Sequence, residues 1–222
     1  MAAVTLVIGN RNYSSWSLRP WLFMKQHGMA FEEVRIPLYQ PDSRDKILTY
    51  SPSGKVPVLI EREMRVWDSL AILEYLAETR PQTQGWPADS AARALARSVC
   101  AEMHSGFAAL RENLSMNVRK VFVHRAWRPE VLRDIDRIQA LWQDCRSRYG
   151  TGGPFLFGRF SITDAMYAPV AWRFNGYSVP LAPGARAWCE TMLALPAMRE
   201  WQDLAKSEAE TLPQFEMATG PA

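Results

Sequence analysis

What this chain has little of narrows it first. Its 222 residues include three cysteines and three histidines, and Cys100, Cys145 and Cys189 stand far apart in helix-like stretches. An odd count without short spacing argues against a disulfide framework and against a thiolate zinc site, so buried free thiols are expected. No cysteine precedes Cys100, which leaves mixed-disulfide redox chemistry in the N-terminal third without a thiol to start from. His27, His104 and His124 show no metal-ligand spacing, so no metal is expected. Neither sign of charge dominates: 26 Lys and Arg against 23 Asp and Glu leave a formal +3, too little to imply nucleic acid and mildly favourable to an anionic small molecule. No apolar run approaches the roughly 18 residues that a bilayer demands, and no charged-then-apolar leader opens the sequence. A cytoplasmic protein with no membrane partner is the expectation. Internal repeats and low-complexity stretches are missing too.

What is present is a 48% hydrophobic composition, ample for the core of one large domain or two modest ones. The first eighty residues alternate between strand-like and helix-like patterns: TLVI, a helix ending at Gly28, FEEVRIPL, a polar helix from Arg44 to Tyr50, VPVLI, MRVW, and a helix from Ser69. In order this reads β-α-β-α-β-β-α, a small α/β domain. RPQTQGWPADS, from Arg80 to Ser90, then breaks any helix with Pro81, Gly85 and Pro87. The expected division is therefore a domain over 1–82, a linker over 83–90 and an all-helical domain over 91–222. Leu95, Val99, Met103, Phe107, Leu110 and Leu114 would line one face of a single long helix, and Leu132, Ile135, Ile138, Trp142, Cys145 and Tyr149 a second. A third should begin at Ser161, with two more around Pro196. Most residues of these stripes are there for packing.

Three short segments carry chemistry. SSWSLRPW, Ser14 to Trp21, falls where a strand hands over to a helix, so hydroxyls and first-turn N–H groups point the same way and stabilise an anion. One cap needs one hydroxyl, and capping by Ser14, Ser15 or Ser17 accounts for only part of the cluster. Val56-Pro57 interrupts an extended run, leaving the backbone before the proline available to a peptide that adds as an extra strand; an ordinary edge proline fits equally. Asp68-Ser69 precedes the helix SLAILEYLAE and reads either as an N-cap or as a seat for an α-amino acid head group, with the helix start and Ser69 on the carboxylate and Asp68 on the ammonium. Together these features outline a pocket for a small thiol peptide. A thiol of pKa about 8.5 needs about 2.7 kcal/mol of preference for the anion to drop two units. A hydroxyl donor contributes roughly 1.5–3 kcal/mol and a helix start about 0.3–1, so no metal or general base is needed.

Those segments, in order and spacing, resemble the glutathione site of the cytosolic glutathione transferases, and the resemblance covers nearly the whole chain. It implies a thioredoxin-like α/β N-terminal domain followed by an all-α C-terminal helical domain, the glutathione transferase fold. It also implies glutathione as cosubstrate, a small electrophile as second substrate, and a homodimer. Within the superfamily the zeta class, which includes maleylacetoacetate isomerases, is most similar. SSWSLR resembles its SSCSxR motif, ENLS at Glu112 to Ser115 resembles a substrate-side stretch that includes Asn113, and Arg173-Phe174 falls where the class has an arginine that meets substrate carboxylate. By this resemblance Ser14 holds and ionises the thiol with Ser15 in support. Ser17 and Lys55 belong to the glutathione site, Val56 before a cis Pro57 pairs with the cysteinyl backbone, and Asp68 and Ser69 hold the γ-glutamyl end. Trp16, Asn113 and Arg173 would bound the electrophile. FSITDA, Phe160 to Ala165, resembles the family's folding signature, with Ser161 and Asp164 as a reciprocal cap. Trp16 stands where the zeta motif has cysteine, and Asp-Ser where that class commonly has Gln-Ser; Trp16 either narrows the site, stacks on an aromatic substrate or packs as core. RKVFVHRAWR, Arg119 to Arg128, reads as a solvated helix end. The rival to an enzyme is a non-catalytic ligand carrier or protein-docking module on the same fold.

Overall fold

A computed structural model describes residues 4–122 and 126–216 of the chain. Strands β1 (Val4–Ile8), β2 (Glu32–Arg35), β3 (Val58–Glu61) and β4 (Met64–Trp67) form one sheet in the order β2-β1-β3-β4. β1 runs parallel to β2 and antiparallel to β3, with Leu6 opposite Glu33 on one side and Leu59 on the other. The parallel pair needs a crossover, which helix α1 (Ser15–Gln26) supplies. The alternation of β1 sorts its side chains: Leu6 and Ile8 enter the main core with α1 and α3 (Ser69–Thr79), while Val7 packs with Ile36, Val58 and Ile47 of α2 (Ser43–Leu48). The element order expected from the sequence is the one observed.

The remainder is helical: α4 (Ser90–Ser105), α5 (Ala108–Asn113), α6 (Pro129–Tyr149), α7 (Ile162–Gly176), α8 (Pro183–Ala194) and α9 (Pro196–Lys206). α7 is buried on nearly all sides and packs on α1, α4 and α8, as a helix apolar all round must. Its start carries the capping box implied by FSITDA. Asp164 accepts the Ser161 N–H at 3.0 Å, the Leu156 N–H at 3.0 Å and the Trp188 indole N–H at 2.9 Å. The three cysteines are free and buried, and burial pushes each thiol well above its ordinary value.

Three expectations are corrected. The long helix through Leu95 and Leu114 is two helices, because Gly106 ends α4 and Phe107 adopts φ 59. Leu110 remains on the buried face after the bend, and the Arg111 guanidinium reaches back to the Met103 and His104 carbonyls at the end of α4. Periodicity could not detect a break that keeps the apolar face aligned. On α6, Leu132 is 43% exposed and Val131 takes its place in the core; the helix enters one residue out of the assumed phase. The described part of Arg119–Arg128 is not helix, and Arg119 donates inward to Tyr13 Oη and to the Glu208 and Glu210 carbonyls. His124 lies outside the described residues.

The two halves are tied together near the future site. Asn12 Oδ1 accepts the N–H groups of Val118 and Arg119, and the Trp201 indole donates to the Arg11 carbonyl. Gly85 approaches so closely that an added Cβ would lie 3.1 Å from Ala77 and Phe23 and 3.2 Å from Ile162, so no larger residue fits without displacing its neighbours. The C-terminal segment returns across the sheet, where Arg11 meets Glu208 at 3.3 Å and Arg35 meets Glu210 at 3.0 Å. Among the described residues no helix is long and apolar enough to cross a membrane.

Candidate active site

α1 begins where β1 ends, and its cap is Ser14, whose Oγ accepts the Ser17 N–H at 3.4 Å and donates to Ser17 Oγ at 2.8 Å. Ser17 Oγ in turn accepts the Gly9 N–H at 3.1 Å, so Ser17 fastens the helix to the end of the strand. Ser15 differs. Its side chain borders the cavity, and its hydroxyl meets no protein partner among the described residues. No acidic residue occupies the first turn of α1, which leaves the positive end of the helix dipole unanswered by the chain.

That corner opens into a cavity of about 980 Å³ that is also bordered by Lys55, Val56, Pro57, Asp68 and Ser69. The Val56-Pro57 peptide is cis. Val56 lies just ahead of β3 and takes no part in loop or turn hydrogen bonds among the described residues, so its main chain is available to a ligand. Arg44 of α2 lies over Gly54, its guanidinium 3.0 Å from where a Cβ would be, and with exposed Lys55 it places positive charge on the wall of the cavity.

Asp68, which borders the same cavity, caps α3. Its Oδ1 accepts the Leu70 N–H at 2.9 Å and the Ala71 N–H at 3.3 Å, and its Oδ2 lies 3.2 Å from His104 Nε2. Asp68 holds φ 77, a backbone conformation costing a non-glycine residue roughly 1–3 kcal/mol and found where function requires it. Ser69 is buried and its Oγ accepts a hydrogen bond from Arg19 Nη1 at 3.2 Å.

Behind Trp16 lies a cluster of cations. Arg19 sits 4.2 Å and Arg111 4.9 Å from the centroid of the indole, and the His104 ring meets it edge-on at 5.2 Å. Burial, then repulsion from Arg111 and Arg173, lowers Arg19 to about 9; burial and Arg111 lower Arg173 to about 10. Among the described residues none of the three arginines has a carboxylate partner within ion-pair distance. Trp16 is half-buried and lines the cavity, its ring already occupied by guanidinium groups.

The structure thus brings Ser14, Ser15, Trp16, Lys55, Val56, Pro57, Asp68 and Ser69 to one cavity. Ser17 does not border the cavity and instead joins Ser14 to the Gly9 N–H. Asn113 and Arg173 do not border that cavity: Asn113 Nδ2 donates to the Ala109 carbonyl at 2.8 Å, and Arg173 donates to the Leu114 carbonyl and to that of Arg111. Sequence reasoning missed Tyr39, Arg44, His104 and Phe215. Phe215 arrives with the returning C-terminal segment and packs on Tyr13 at 5.6 Å and Tyr39 at 5.5 Å, a long-range contact without sequence signal. Tyr13 precedes the serines, but its hydroxyl is committed to Glu216 at 2.5 Å, Arg119 at 3.0 Å and the Leu212 N–H at 3.2 Å. A separate cavity of about 850 Å³, bordered by Met24, His27, Phe31 and Arg80, gathers none of the expected site residues.

Comparison with known proteins converges on one family. Residues 13–79 match the glutathione S-transferase N-terminal domain and residues 94–201 the glutathione S-transferase C-terminal domain. A probable maleylacetoacetate isomerase of Caenorhabditis elegans is 28% identical over 84% of this chain and 87% of its own length. The maleylacetoacetate isomerase of Rattus norvegicus is 28% identical over 78% of this chain and 79% of its own. Among solved structures, a glutathione transferase homologue from Burkholderia with bound glutathione superposes with a TM-score of 0.70 at 22% identity, covering 93% of this chain and all of the other. This last likeness concerns the fold.

Proposed function

The chain belongs to the glutathione S-transferase family, and from that premise we propose a zeta-like transferase that holds glutathione as its thiolate and adds it to a small electrophile. The carrying observation is convergence: a hydroxyl-rich helix start, a backbone segment before a cis proline and an acid-serine cap, far apart in sequence, border one cavity. Each alone is explained by local structure. Their meeting matches the three parts of glutathione: Ser69 and Asp68 toward the γ-glutamyl group, Val56 toward the cysteinyl backbone, Arg44 and Lys55 toward the glycyl carboxylate.

In this reading the sulfur faces Ser14 and Ser15. Ser15 has a proton ready to donate, whereas Ser14 must exchange its bond to Ser17 for one to sulfur. The unanswered helix start adds to both. The thiolate then attacks an electrophilic carbon near Trp16. On a cis-enone diacid, addition forms a C–S bond and leaves a rotatable C–C single bond, and elimination of the thiolate returns the trans isomer. On a carbon bearing a leaving group the conjugate departs, the chemistry of detoxification. The relatives named maleylacetoacetate isomerase support the first of these. Arg173 and Asn113 belong to the electrophile side of this proposal; to meet a substrate carboxylate, Arg173 would have to give up the Leu114 carbonyl. Two copies in a cytoplasmic homodimer complete the reading, by resemblance to the family.

Titration calorimetry with glutathione tests the first half: micromolar to millimolar binding is expected, and its absence ends the proposal. Turnover tests the second. Binding without turnover on a maleylacetoacetate analogue, a halogenated aromatic or an organic peroxide would instead favour a ligand carrier.

A further inference from the structure

We propose that His104, reaching over from α4, is a positioning residue for the glutathione ammonium group: its Nε2 lies against the Asp68 carboxylate and holds it in place while leaving its negative charge to the ligand. This rests on the reading above, in which the γ-glutamyl head group sits at Asp68 and Ser69.

The carboxylate has little freedom left. Both N–H groups of the first turn of α3 occupy Oδ1, so only Oδ2 can meet a ligand, and Oδ2 is the atom 3.2 Å from His104 Nε2. The imidazole is itself held. Its edge rests on Trp16 at 5.2 Å, the indole lies beside the Arg19 and Arg111 guanidiniums, and Arg111 also bonds the His104 carbonyl at 3.1 Å. A ring fixed this way keeps Nε2 against one side of Oδ2. The other side is left for the cavity.

The charge state follows from the surroundings. His104 Nδ1 is buried and meets no partner among the described residues, so the single proton of the neutral ring fits on Nε2 and a second would find no acceptor among them. Burial, with repulsion from Arg19 and Arg111, holds the imidazole below its usual 6.5 against the opposing pull of Asp68. These three are the charged groups acting on it, from α1, α5 and the cap of α3. A lysine or arginine in this place would pair with Asp68 and repel the ammonium. A neutral donor orients the carboxylate and does not compete for its charge.

The test compares glutathione with glutaryl-cysteinyl-glycine, the same peptide without its amino group, by calorimetry on the full chain. His104→Ala should weaken glutathione about threefold to tenfold, no more than the worth of one typical hydrogen bond, and leave the deaminated peptide unaffected. His104→Gln keeps an N–H at similar reach and should retain most of the affinity. In kinetics the loss should fall on KM for glutathione rather than on kcat. Glutathione affinity of the wild type should also drop between about pH 7 and about pH 5, as His104 gains a proton, and that of His104→Gln should stay level. Equal glutathione affinity in His104→Ala, or an equal loss for both peptides, overturns the assignment. No binding of glutathione by the wild type is a different failure, that of the glutathione site itself.

Discussion

α7 and α1 both begin at a serine cap, Ser161 and Ser14, but only α7 supplies its own anion. There Asp164 sits in the first turn, fully buried, receiving Ser161 N–H at 3.0 Å, Ser161 Oγ at 3.1 Å and two further donors. In α1 the first turn holds no acid, and a second serine hydroxyl opens onto a cavity. A helix start that closes on its own carboxylate is finished as structure; one that does not still attracts a negative group. Asp68 at α3 stands between the two, capping with one oxygen and offering the other.

The sharpest way to break this contrast is to open the closed corner. Asp164→Ala leaves the Leu156 and Ser161 N–H groups and the Trp188 indole without acceptors, and should cost about 3–5 kcal/mol in a denaturation experiment. Surviving protein should bind glutathione as before. A stable Asp164→Ala would mean that the cap is dispensable.

The pH dependence of the same residue comes next. Burial pushes the Asp164 carboxyl from 3.8 up to about 6, against the hydrogen bonds that pull it down. The folded state therefore keeps this proton longer than the unfolded chain, so the contribution is full below about pH 3.8 and is lost as pH rises through about 6. The stability of the wild type minus that of Asp164→Asn should fall by up to about 3 kcal/mol over that range. A difference that grows with pH would reverse the sign of the argument.

At the open corner the effects should be kinetic. Ser15→Ala is expected to lower kcat/KM by about tenfold to a hundredfold, one donor to a thiolate, with stability changed by less than about 0.5 kcal/mol. Ser14→Ala should combine a kinetic loss with about 1 kcal/mol of stability, because Ser14 also caps the helix. Full activity in both variants would remove serine from the mechanism. The smallest effect belongs to the intermediate corner: Asp68→Asn still caps α3, so stability should hold while glutathione binds about tenfold more weakly and kcat changes less. Unaltered affinity would move the head group elsewhere.

Much of the fold was legible because its signals are local. The period-2 and period-3.6 patterns that built β1 to β4 and α1 to α3 depend on residues within one turn or pleat of each other. The bend at Phe107 escaped because two helices in tandem kept one apolar face in phase, and Leu132 because Val131 carries the same apolar character one position away. Of the site, Ser14, Ser15, Val56-Pro57 and Asp68-Ser69 could be read from hydroxyl, proline and cap chemistry. His104, Phe215 and Arg44 could not. A histidine in the last turn of a helix looks alike whether it faces solvent or a carboxylate thirty-six positions away.

Sequence by itself settled most of the segments that cap or extend, since those choices are governed by each residue's own backbone and its nearest neighbours. Tertiary structure alone decided which polar atoms were left over. Ser14 and Ser15 are identical residues side by side, yet helix geometry turns one hydroxyl onto Ser17 and leaves the other at the cavity. Hydrogen bonding saturates, so availability to a ligand is what remains after the fold has made its own pairings.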